Sequence, residues 1–329
     1  MKNVAVLGAT GLVGEEVIKI LEQRNFPTGE LFLFASERSE GRTVIFKDRE
    51  IEVLSDYESF KDKVKLVFSC LDEPLAREIV PKFKDNAVVI DNSNAFRMDP
   101  EVPLIIPEIN PEKIKEHKGI IANPNCSTIQ MLVPLYYLHK KAKVKRVFVA
   151  TYQSVSGSGR DAVDELKLEF EYLGMCQDIE KSEKHVFSHP IGNNIIPQIG
   201  NFDENGYTEE EMKMVNETRK IFDDESIQVT STCVRIPVYC GHSEAVSVEF
   251  ENALSPGEAK EILKGAPGVK LIEKNDDYPM PIYAVGKDEV FVGRIRQDLI
   301  FENGLAMWIV ADNVRKGAAL NAVQIAELL

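Results

Sequence analysis

The stretch VAVLGATGLVG, residues 4 to 14, restricts the fold more than any other part of the 329-residue chain. A continuous apolar run ending in glycine suits a strand buried on both faces. The residues that follow place Val17, Ile18 and Leu21 on one side of a helix and charges on the other. Gly8, Gly11 and Gly14 stand between the two. In that position glycines permit a tight turn, let backbone amides approach a pyrophosphate and aim a helix N-terminus at it. Their spacing, GxxGxxG, is a variant of the commoner pattern, and the same glycines could simply close a strand–helix turn. Further strands are expected at ELFLFAS, KLVFSCL and AVVIDNS, with a helix at EPLAREIVPKF. This alternation predicts an α/β fold with a doubly wound parallel sheet, continued by VPLIIPEIN and GIIANPN.

The texture changes at Cys126. STIQMLVPLYYLHKKAKV reads as a helix, with Pro134 expected to bend it or cut it in two. RVFVATYQSV, a Gly/Ser loop and the helix RDAVDELKLEFEYLG follow. Thr208 and Glu211 stand at capping-box spacing before another helix. STCVRIPVYC, AVSVEF, VFVGRIRQDL and GLAMWIVAD need no helices between them, which predicts a mixed or antiparallel sheet. The last segment, NVRKGAALNAVQIAELL, reads as an amphipathic helix. Two domains are expected, one over residues 1–125 plus 313–329 and the other over 126–312.

Asp and Glu outnumber Lys and Arg by 53 to 39, for a net charge of −14. This disfavours nucleic acid and anionic membrane as partners but leaves room for a local basic pocket. No stretch approaches a transmembrane span, and the apolar strand begins too early to leave room for a signal peptide. Five scattered cysteines without a CxxC fit reduced thiols, hence a cytoplasmic protein, better than a disulfide framework. His185 and His189 have helical spacing but no nearby third ligand in the sequence, so no metal site is expected.

Candidate chemistry gathers at a few positions. The second strand ends in ASERSEGR, where an NAD site usually carries an acid; Arg38, beside Ser36 and Ser39, could instead meet a 2′-phosphate. That favours NADP, although Glu37 could serve a ribose and the loop could merely face solvent. Cys126 stands where a helix begins, and unpaired amides at a helix start favour a thiolate. A lone cysteine is more often inert packing, but this one directly follows the expected nucleotide domain. Gln153 emerges from a strand before the Gly/Ser loop, Arg235 lies inside an apolar strand where a cation needs an anion, and His242 follows a glycine. Glu210 and Lys213 share a helix face, which by itself suggests a surface ion pair. Arg97 follows the carboxyl end of a strand, where open sheets bind ligands.

Together GATGLVG, DNSNAFRM, NPNCSTIQ, TYQSVSGSG, EEEMKMVNETRKI, RIPVYCGHSEAV and DNVRKGAALNAVQIAELL resemble aspartate-β-semialdehyde dehydrogenase, in the same order from Val4 to Leu329. The resemblance implies a Rossmann-type domain joined to an α+β catalytic and dimerisation domain with a mixed sheet. It implies NADP-dependent conversion of aspartyl phosphate to aspartate semialdehyde through a cysteine thioester, in lysine, threonine and methionine biosynthesis. Cys126 would be the nucleophile, Gln153 its orienting neighbour and His242 the acid/base. Arg235 would hold the α-carboxylate, Glu210 the α-amino group, and Lys213, Arg97 and Asn125 the phosphate. NADP would lie on Gly8 and the turn Thr10, Gly11, Leu12 and Val13, on Ser36, Arg38 and Ser39, and on Ser156, Gly157 and Asn313. A homodimer or homotetramer is implied. N-acetyl-glutamyl-phosphate reductase shares the layout, and a non-catalytic Rossmann-type protein would be expected to lack the cysteine or the histidine.

Overall fold

The computed structural model describes residues 1–179, 186–274 and 276–329; His185 lies outside them. The described residues form two compact units, Met1–Asn125 with Gly317–Leu329, and Cys126–Lys316.

In the first unit, seven strands run β1 (Lys2–Leu7), β2 (Thr28–Phe34), β3 (Thr43–Phe46), β4 (Arg49–Leu54), β5 (Leu66–Ser69), β6 (Val88–Asp91) and β7 (Ile120–Ala122). Their order is β3-β4-β2-β1-β5-β6-β7, parallel except for the β3–β4 hairpin. The order reverses at β1, whose two neighbours β2 and β5 lead away in opposite directions. In open α/β sheets the crevice at such a reversal binds ligand. Helix α1 (Leu12–Gln23) and the C-terminal helix (Leu320–Glu327) share one core with β1, β2 and β5, including Val6, Ile20, Leu33, Phe68, Leu320 and Val323. Arg24 also grips Glu327 with two nitrogens at 2.7 Å. Helix α2 (Glu73–Ile79) starts on Asp72, whose carboxylate accepts from the Leu75 amide.

Two features of this unit depart from the sequence reading. VPLIIPEIN makes no strand; only Leu104 bridges Ala122. Asn110 folds the segment on itself, donating to the Leu104 carbonyl and accepting from the Ile106 amide, and so takes polar groups a ladder would have used. The β3–β4 hairpin was not foreseen. Its turn puts Lys47 and Asp48 at φ 49° and 60°, where Asn-Gly or Asp-Gly is the usual sign.

In the second unit, strands β8 (Val144–Gln153), β9 (Gln228–Arg235), β10 (His242–Phe250), β11 (Val269–Leu271), β12 (Val290–Gln297) and β13 (Gly304–Ala311) form a mixed sheet of order β11-β12-β13-β10-β8-β9. The β8–β9 and β11–β12 pairs are parallel and the others antiparallel. Helix α3 (Cys126–Ala142) packs on one face of this sheet, against β8, β10, β12 and β13, and also touches α5 (Glu209–Phe222) and α6 (Pro256–Leu263). It runs unbroken through Pro134, which does not cut it. Residues 127–135 are all buried, so packing on several sides holds the turn that a proline weakens. Helix α4 (Arg160–Gly174) buries Glu165 and Glu169, which accept from the amides of Val186 and of Ile191 and Gly192. Among the described residues no helix is long and apolar enough to cross a membrane.

Candidate active site

In the first unit a cleft of about 820 Å³ opens at the carboxyl ends of β1 and β2. Gly8, Thr10 and Gly11 form one wall, and Ser36, Glu37 and Arg38 another. The turn is tight: Gly8 has φ +77°, and the Gly11 amide donates to its carbonyl at 3.0 Å. A β-carbon on Gly8 would stand 2.6 Å from the Cys70 carbonyl oxygen, and one on Gly14 would stand 2.2 Å from the Gly8 oxygen. Only glycine fits either place, and the backbone facing the cleft stays bare. Thr10 Oγ1 donates to Ser39 Oγ at 3.3 Å, joining the glycine turn to the end of β2. Ser36 and Arg38 are exposed at the cleft and Ser39 is buried behind them. Leu12 and Val13 open α1 and are half-buried. The size, the bare turn and the cation at the rim fit a dinucleotide phosphate. Asp56 and Tyr57 also line the cleft; they follow the unforeseen hairpin, and nothing in their local sequence announces a site.

Arg97 and Asn125 also belong to this unit and are buried. Arg97 Nε donates to the Asn123 carbonyl at 2.9 Å and Nη2 to the Asn92 carbonyl at 2.8 Å, so its guanidinium is fixed at the end of β6.

The second unit gathers most of the remaining candidates. Registry sets Arg235 beside Gln153 across β9 and β8. His242 begins β10, and its Nε2 lies 3.5 Å from Gln153 Nε2. The Gln153 amide is oriented from both ends: Oε1 accepts from Thr151 Oγ1 at 2.9 Å, while Nε2 donates to Glu210 Oε1 at 3.0 Å. Glu210 projects from the first turn of α5, and Lys213 donates to its other oxygen at 3.2 Å. Glu210 is only 6% exposed, so this pair is no ordinary surface contact. The capping box of Thr208 and Glu211 forms as the spacing predicts and fixes that turn. Arg235 Nη1 donates to the Ser154 carbonyl at 2.7 Å. Burial pulls the Arg235 pKa down, and Glu210 first, then Cys126, resists through opposite charge. Cys126 therefore lies within electrostatic reach of Arg235; it is half-buried at the first residue of α3.

His242 is completely buried. Burial first, and the Arg235 charge second, hold its pKa down to about 3, with Glu210 pulling the other way. Its Nδ1 accepts from the Ser154 amide at 3.0 Å. A backbone N–H can only donate, so the neutral ring carries its proton on Nε2, facing Gln153. Asn313 forms a second hub: Oδ1 accepts from the Gly241 amide at 2.9 Å and from the Ser154 and Ser156 hydroxyls, and Nδ2 donates to Ser156 Oγ at 3.0 Å. Gly157 presses against Arg235 and His242; a β-carbon there would lie 2.8 Å from Arg235 Nη1 and 3.4 Å from His242. Ser154 and Thr151 orient the ring and the amide yet were not singled out from sequence. Both stand in TYQSVSG, where alternation marks a strand but not which polar side chain supports another.

Such a thiol, imidazole, amide and cation can support acyl transfer, with the carboxylate of Glu210 available to a cationic group. Residues 3–117 match the family model for the semialdehyde dehydrogenase NAD binding domain, and residues 132–316 match that for the semialdehyde dehydrogenase dimerisation domain. The chain is 56% identical to the aspartate-semialdehyde dehydrogenase of Aquifex aeolicus, over 99% of this chain and 97% of that protein. Its structure is similar to that of aspartate semialdehyde dehydrogenase II from Vibrio cholerae complexed with ASA (46% identity, TM-score 0.97, covering 100% of this chain and 98% of that one). It is also similar to the Candida albicans enzyme with NADP (26% identity, TM-score 0.76, covering 100% and 98%). The chain belongs to the aspartate-semialdehyde dehydrogenase family and is an enzyme with a nicotinamide-dinucleotide-binding domain.

Proposed function

We propose that the protein reduces L-4-aspartyl phosphate to L-aspartate 4-semialdehyde, with release of phosphate, through a thioester on Cys126. The first unit holds NADP and the second carries catalysis and dimerisation. The observation that carries this reading is the convergence, within one unit, of Cys126, His242, Gln153, Arg235 and Glu210. The helix start stabilises a thiolate on Cys126. Its sulfur attacks the acyl carbon, a C–S bond forms, and the bond to the phosphate oxygen breaks. Within the second unit Arg235 holds the substrate α-carboxylate, Glu210 its α-amino group and Lys213 the phosphate; in the first unit Arg97 and Asn125 are the residues the family resemblance offers to a phosphate. The cofactor, when bound, would supply hydride to the thioester carbon. His242, protonated at Nε2, donates to the developing oxyanion, and collapse of that oxyanion releases the aldehyde and restores the thiolate. In the oxidative direction the same steps run backwards: the thiolate adds to the aldehyde, Nε2–H holds the resulting oxyanion, and hydride leaves the carbon that bears it. Arg38 with Ser36 and Ser39 would hold the 2′-phosphate of NADP, and Ser156, Gly157 and Asn313 would serve its nicotinamide.

The test is the change in nicotinamide absorbance on mixing the protein with aspartate semialdehyde, phosphate and NADP⁺. Cys126→Ser should fold and bind NADP but lose on the order of 10³-fold or more in turnover, since a hydroxyl without its own base is a poor nucleophile. Full activity in that variant would remove the thioester.

A further inference from the structure

Behind the row formed by His242, Gln153 and Arg235, the same face of the sheet carries a second polar row of Glu244, Thr151 and Cys233. Glu244 is completely buried, and among the described residues neither of its carboxyl oxygens has a hydrogen-bond partner. An ionised carboxylate in that place would lose its hydration with nothing in return. Across the sheet Glu244 pairs with Ile309, and Gln130 of α3 donates from Nε2 to the Ile309 carbonyl at 3.3 Å. The other end of that amide, Gln130 Oε1, is also buried without a partner among the described residues. Glu244 and Gln130 thus both meet the Ile309 register position with buried acceptor oxygens that no donor satisfies among the described residues, and a proton on the carboxyl is the donor that would complete the set.

We propose that Glu244 is carried as the neutral carboxylic acid and donates to Gln130 Oε1, tying the helix that begins at Cys126 to the strand that begins at His242. The surrounding charges point the same way. Cys233 on β9 feels Glu244, and Glu210 and Glu211 reach the same cysteine from α5. His242 precedes Glu244 on its own strand, and Cys126 opens α3. Met307, Ile309 and Ala311 on β13 bring no charge. Arg235 already answers Glu210, and a further anion here would compete with the substrate carboxylate for it and oppose a thiolate at Cys126. Burial pushes the Glu244 carboxyl well above the ordinary carboxylate range. Glu244 is then a positioning residue that touches no reacting atom. Its protonation and its contact stand apart from the proposed reaction; only its effect on Cys126 rests on that reading.

Infrared difference spectra of the full-length protein at neutral pH should show the carbonyl stretch of a protonated carboxylic acid that disappears in Glu244→Gln. The same variant should melt higher than the parent, by a margin that widens between about pH 5 and 8. The parent must keep a proton that its unfolded chain releases, so it loses stability as pH rises, and the amide does not. Glu244→Leu and Gln130→Leu should be non-additive in a double-mutant cycle. Alkylation of Cys126 by iodoacetamide should slow several-fold in Glu244→Leu and recover in Glu244→Gln. Absence of the infrared difference, a margin that stays flat with pH, an additive cycle, or a Glu244→Gln chain that does not fold would each overturn the proposal. The spectra and melts use no substrate, so they can fail or succeed whatever becomes of the dehydrogenase reading.

Discussion

His242 illustrates how a side chain's surroundings change what its sequence position implies. A histidine after glycine suggests a base near neutral pH, but burial and Arg235 keep this ring neutral far into acid. The unfolded chain takes up a proton below about pH 6.5 that the folded chain refuses until about pH 3. Stability should therefore fall as pH drops through that window, by about 1 kcal/mol per pH unit from this group. Melting temperatures of the parent and His242→Asn between pH 4 and 7 check this: the parent should show the steeper fall, and equal slopes would assign it elsewhere. Arg38 is the simpler case, a cation exposed at the cleft rim beside Ser36. Arg38→Ala should lower the preference for NADP over NAD by about tenfold, the loss of one charge-assisted contact. Ratios of kcat/KM for the two cofactors would show it, and an unchanged ratio would return the loop to solvent.

At the scale of elements, the first turn of α5 joins stability to the site. Thr208 and Glu211 cap it reciprocally, and Glu210 lies between them. Thr208→Ala should cost about 1 kcal/mol, measured by denaturant melts, and should raise KM through the loosened Glu210 more than it lowers kcat. A cost without change in KM would make the cap purely structural. This cap was legible because its signal is local. So were β1, α1 and the strand–turn–helix glycine motif, whose periodicity and turn chemistry agree. VPLIIPEIN was misread because an apolar run reports burial rather than a ladder, and Asn110, the residue that diverts it, acts through its side chain. The cut expected at Pro134 failed because burial on several sides outweighed a local propensity.

Across the whole molecule, one face of the six-stranded sheet packs under α3 and the other presents Phe148, Ala150, Tyr152, Ala245 and Trp308. Phe148 is 48% exposed, and the Tyr152 and Trp308 rings stand 5.5 Å apart. A second copy covering this face would remove that apolar surface from water, in keeping with the match to a dimerisation domain. Phe148→Asp should shift the protein toward monomer in light scattering with the protomer still folded. A dimer of unchanged affinity would place the interface elsewhere.

The sequence by itself determined the glycine turn, the strand–helix alternation that makes most of the first sheet parallel, the α5 cap and the residue types able to do acyl chemistry, because each is written in local pattern along the chain. Only the tertiary structure decided which of them meet. Gln153, Glu210, Arg235 and His242 are separated by up to 89 positions, and registry between strands together with the packing of α5 on β9, not spacing along the chain, brings them together. The same registry decided what burial does to them. It keeps His242 neutral, fixes its ring proton through the Ser154 amide, and buries Glu244 where, among the described residues, neither carboxyl oxygen has a partner to sustain a charge.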